Sequence, residues 1–120
     1  MKSTTLAVAA MLFQSLAFGQ ELSTASYVGA LDGAVEACVA AFPAEASRYR
    51  AAPERAWRCN GDAKAYRIWH DEQKTAAHNR EQYRKGFADG RNSLSGTPAQ
   101  RAQQCRSLEE LPCTRDPAIR

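Results

Sequence analysis

Residues 23–42, STASYVGALDGAVEACVAAF, carry the strongest periodic signal in the chain. Tyr27, Leu31, Val35, Cys38, Val39 and Phe42 recur at intervals of three and four, the spacing that lines one face of an α-helix. Ser23 supplies an N-cap and Pro43 a stop. Beside this stripe, Gly29, Gly33, Ala37 and Ala41 are spaced by four, so a ridge of small side chains runs along the helix. Such a ridge lets a neighbouring helix approach closely. Each glycine costs a helix on the order of 1 kcal/mol relative to alanine, so this helix depends on the partner that the ridge admits.

Working outward toward the N-terminus, MKSTTLAVAAMLFQSLAFGQ combines one basic residue, Lys2, an apolar run from Leu6 to Phe13, and small residues at Ala17 and Gly19. That order is the pattern of a secretory signal peptide, and the apolar run is far shorter than the roughly 20 residues of a membrane span. The expectation is a signal peptide at residues 1–19, cut before Gln20, and a single domain at residues 20–120. Cutting before Phe18 is the alternative. The first cysteine is Cys38, so no lipid-anchored product is expected. Without Lys2, 15 basic residues face 13 acidic ones, a balance of only +2. The charges are interleaved, as in HDEQKTAAHNREQYRK, which describes a solvated helix surface and argues against a nucleic-acid footprint.

Toward the C-terminus, PAEASRYRAAP between Pro43 and Pro53 reads either as a short helix broken by Pro53 or as a loop. PERAWRCN then suits a short helix near residues 53–60, with a bend at Gly61 and an N-cap at Asp62. Residues 63–89 read as one long polar helix with Tyr66, Trp69, Ala76, Tyr83 and Phe87 close to a single stripe. Gly90 is its expected C-cap. Thr97, Pro98 and Gln100 form a capping box with a first-turn proline, opening a last helix that runs to about residue 110. The expected fold is all-α: a small domain of three main helices, with a short fourth, cross-linked by two disulfides.

Four cysteines in a short exported chain imply two disulfides, because export normally means an oxidising compartment. The gaps between them, 20, 45 and 7 residues, do not suit a zinc site. If the last helix includes Cys105, Cys113 lies up to about 12 Å from it, whereas a disulfide wants Cα atoms roughly 4.4–6.8 Å apart. A Cys38–Cys105 loop also restricts the unfolded chain by about 4.4 kcal/mol, against about 2.6 for Cys105–Cys113. These arguments favour Cys38–Cys105 with Cys59–Cys113. The competing set is Cys38–Cys59 with Cys105–Cys113.

Catalytic constellations are sparse. His70 and His78 lie eight residues apart in charged helix, read as surface positions, and no G-x-S-x-G, C-x-x-C or glycine-rich phosphate loop occurs. No catalytic residue, cofactor or metal ligand is therefore expected. Trp57, Tyr66, Trp69 and Tyr83 stand in segments otherwise rich in charge. They are the candidate interface residues, since aromatic residues of this kind anchor protein interfaces, while a place in the small core that a polar helix can offer is the favoured reading for Trp57 and Trp69. The layout of signal peptide, small helical body and four cysteines resembles groups of bacterial periplasmic proteins, among them inhibitors and immunity proteins that neutralise a toxin. These features lead to the expectation of an exported, non-enzymatic module that binds another protein, in the periplasm more than outside the cell, with no membrane span after cleavage and no nucleic-acid partner. The alternatives are an envelope or cell-wall-acting enzyme that uses Asp71, Glu72 or His70, and a structural or stress protein without a fixed partner.

Overall fold

The computed structural model describes residues 23–115, and the signal peptide expected at residues 1–19 lies outside them. The described residues form five α-helices and no strand: α1 (Thr24–Ala41), α2 (Ala46–Trp57), α3 (Ala63–Thr75), α4 (Arg80–Arg91) and α5 (Pro98–Glu109). Short 3-10 turns, Pro43–Glu45 and Arg58–Asn60, precede and follow α2. The all-α class and both favoured disulfides are present, with Cα separations of 5.7 Å for Cys38–Cys105 and 5.9 Å for Cys59–Cys113.

α1 is the central helix, and its most extensive partner is α4. A Cβ atom at Gly29 would collide with the carbonyl oxygen of Tyr83, and one at Gly33 with that of Phe87. The relation is reciprocal, since a Cβ at Gly86 would strike the carbonyl oxygen of Ser26 and one at Gly90 that of Ala30. Two backbones this close require glycine on both sides, and each glycine Cα–H faces a carbonyl oxygen in the manner of a weak Cα–H···O bond. Position numbers rise together on the two helices, so α1 and α4 run parallel. Gly90 is therefore a packing residue inside α4 and not its C-cap; that position falls to Asn92.

Two small cores flank this contact. Val35, Cys38, Tyr49 and Cys105 are buried together, with Val39, Phe42, Leu94 and Leu108 against them. Ala25, Val28 and Tyr83 form the other, with Trp69 and Phe87 against it. Arg48 on α2 grips Glu109 on α5 through two parallel bonds of 2.8 Å, tying those helices at the surface.

Two segments depart from expectation, which raises the helix count. α2 runs straight through Pro53. An interior proline costs about 3 kcal/mol. Burying a large side chain returns roughly 1.5–3 kcal/mol, and α2 buries both Tyr49 and Trp57 on the face that also buries Ala52. The expected long helix over residues 63–89 is instead two helices, α3 and α4, separated by a turn at residues 76–79. In an unbroken helix Tyr66 and Gly86, twenty residues apart, would point in roughly opposite directions, about 200° apart. Tyr66 borders the same cavity as Tyr27 and Leu31 of α1, and Gly86 meets the Ser26 backbone, so the chain turns between them. Ala76, with ψ of 138°, ends α3, and Asn79 Nδ2 donates to the carbonyl of Glu72 at 3.2 Å.

Candidate functional site

The ridge of α1 faces α4, while another of its faces is left to line a cleft. Thr24, Tyr27, Val28, Leu31 and Asp32 follow the i, i+3, i+4, i+7, i+8 spacing, and all five border a cavity of about 300 Å³. α2 contributes Pro53, Ala56 and Trp57, and α3 contributes Tyr66 and Trp69. The fourth side is not a helix. Pro112, Thr114 and Arg115 close it, beyond the end of α5.

This tail segment is held by covalent and polar links to residues just after α2. Cys113 is bonded to Cys59, the Cys59 amide donates to Cys113 Sγ at 2.9 Å, and Asn60 Nδ2 donates to the Thr114 carbonyl at 3.0 Å. The second disulfide thus fixes one wall of the cleft.

The aromatic residues form a continuous cluster. Trp57 lies 5.4 Å from Trp69 and 5.6 Å from Tyr66, centroid to centroid, and Tyr66 lies 5.4 Å from the His70 ring. These separations are those of attractive edge and tilted ring contacts. His70 leads on to Tyr83 at 6.4 Å and Tyr83 to Phe87 at 6.2 Å. Trp57, Tyr66 and Trp69, three of the four aromatic residues singled out in the sequence, therefore share the cleft wall. The fourth, Tyr83, is buried behind it in the α1–α4 contact.

Asp32 organises the polar part of the site. Its Oδ2 accepts from the Tyr83 hydroxyl at 2.5 Å and lies 2.6 Å from His70 Nε2, which donates to it. Asp32 Oδ1 has no hydrogen-bond partner among the described residues. The side chains of Asp32 and His70 are 17% and 24% exposed, so His70 is not the plain surface residue that its charged neighbours suggested. His78 is exposed, as are Asp71 and Glu72, and none of the three borders the cleft. Burial, the hydrogen bond to Asp32 and the charge of Asp32 push the Tyr83 phenol far up. Burial, followed by the charges of Asp32 and Glu54, does the same to Tyr66. The Trp57 indole N–H is buried without a hydrogen-bond partner among the described residues.

Sequence reasoning missed Asp32. Its signal was an acidic residue, one of two with Glu36, in a mostly apolar helix, where a carboxylate needs a polar partner once buried. Among the described residues no group of three or more His, Cys, Asp or Glu side chains could hold a metal ion, and no helix is long and apolar enough to cross a membrane. The two disulfides are compatible with an oxidising, exported compartment. No protein-family model, curated protein or solved structure matches the chain.

Proposed function

We propose that the protein is an exported, non-enzymatic binding module of the inhibitor or immunity type, acting in the periplasm and receiving a segment of another protein in the aromatic cleft. The observation that carries this reading is the tethered wall: a disulfide holds Pro112–Arg115 against the recess that Trp57, Tyr66 and Trp69 line. A recess held open by a cross-link loses little conformational freedom when it is filled, and aromatic side chains in a concave site are the usual anchors of tight recognition.

Leu31 tests the reading because it borders the cleft and is only half-buried. Leu31→Arg projects a long charged side chain into the recess. The oxidised protein and this variant are each immobilised and exposed to envelope extract and to purified products of neighbouring genes, after thermal melting confirms that the variant is folded. A protein retained by the parent and lost from Leu31→Arg supports the cleft as its receptor. No retained protein, or one held equally by both, sinks the reading.

A further inference from the structure

We infer that the occupant of the cleft is a cationic side chain, a lysine or arginine of the partner, with Asp32 as its counter-ion; this rests on the cleft being the binding site. Asp32 sits within the cleft lining, and its two oxygens are unlike. Oδ2 is committed to Tyr83 and His70 at 2.5 and 2.6 Å, which fixes the carboxylate plane. Oδ1 is left without a partner among the described residues. A half-buried carboxylate with one open oxygen attracts a charged donor more strongly than an exposed one, because water screens it less.

The walls suit the rest of such a side chain. Leu31, Val28 and Pro53 can pack against an aliphatic stem, and Trp and Tyr faces attract a cation through the ring quadrupole. Glu54 lies close enough to act on the Tyr66 hydroxyl together with Asp32, although it is itself paired with Arg58 at 2.6 Å, which leaves Asp32 as the carboxylate open to a ligand. Arg115, on the tail wall, is a like charge that also borders the cleft.

Two tripeptides of matched length test the inference on the oxidised protein: Gly-Lys-Gly and Gly-norleucine-Gly, which keeps the alkyl stem and removes the charge. Binding is followed by NMR through the indole N–H signals of Trp57 and Trp69. The lysine peptide is expected to shift both signals saturably and to bind about tenfold or more tightly than the norleucine peptide, the usual weight of a charge-assisted hydrogen bond. Asp32→Asn is expected to remove that preference. Tyr27→Ala changes an exposed residue of the cleft wall and spares the core. It is expected to weaken the lysine peptide about threefold, so the inference stays testable even if Asp32→Asn does not fold. Equal binding of the two peptides, an unaltered lysine preference in Asp32→Asn, or no shift at either indole up to about 50 mM peptide overturns it. If Leu31→Arg still abolishes capture of a protein partner while the lysine peptide fails to bind, the cationic anchor falls and the binding cleft stands.

Discussion

Asp32 sets the behaviour of residues far from it in the chain. Its pairing with His70 spans 38 positions and with Tyr83 51 positions. This is why the stretch that His70 opens, HDEQK, gave a misleading picture: the side chains that follow it are polar, and the group that draws the ring inward lies on another helix. The same carboxylate bears on Tyr83 and Tyr66, whose phenols stay protonated above the ordinary value of 10.0. A raised folded-state value means that its contribution to stability is complete below the unfolded-state value and is lost as pH rises beyond it. Denaturant midpoints measured between about pH 8 and 11 should therefore hold steady at first and drop above about pH 10, as the unfolded phenols ionise and the folded ones do not. Tyr83→Phe should make that drop shallower. An equally steep fall in the variant would remove Tyr83 from this account.

At the scale of elements, half of the decisive contact was legible. The spacing of Gly29 and Gly33 announced a close approach, whereas Gly86 and Gly90 sit in a strongly polar run, RKGFADGR, where Gly90 reads naturally as a helix end. The pattern marked a socket without naming what fits it. Pro53 and the turn at residues 76–79 were illegible for a related reason: local propensity favours a break at the first and continuity through the second, and contacts with other helices reverse both. Glycine to alanine within a helix ordinarily stabilises it by about 0.5–1 kcal/mol. At Gly33 the sign should invert, because the added methyl meets the Phe87 backbone and cannot be relieved by a side-chain rotation. We expect Gly33→Ala to cost about 2–3 kcal/mol in urea denaturation. A neutral or stabilising result would show that α1 and α4 are not packed this tightly.

The molecule as a whole is closed by two cross-links of different standing. Cys38 and Cys105 are 1% and 0% exposed, whereas Cys59 and Cys113 both lie at the surface. Their pairing was legible because helix rise kept Cys105 away from Cys113; the role of the second bond in walling a cleft was not, since Pro112, Thr114 and Arg115 carry no pattern of their own. Thiol exchange needs access to sulfur. Mild reductant followed by alkylation and peptide mapping should label Cys59 and Cys113 first, leaving Cys38 and Cys105 protected until the domain unfolds. Simultaneous labelling of all four would contradict that order.

The parallel course of α1 and α4 bears, finally, on how the chain reaches this state. Neighbouring helices that run the same way cannot be joined by a tight turn, and here the return path occupies residues 42–79. The close backbone contacts of Ser26 with Gly86 and of Ala30 with Gly90 each close a span of 60 positions. Non-local contacts of this kind raise contact order and slow folding relative to bundles built from helical hairpins. During synthesis α1 has no partner for its glycine face until residues 80–91 have emerged, so acquisition of the native helix pair must wait for most of the chain.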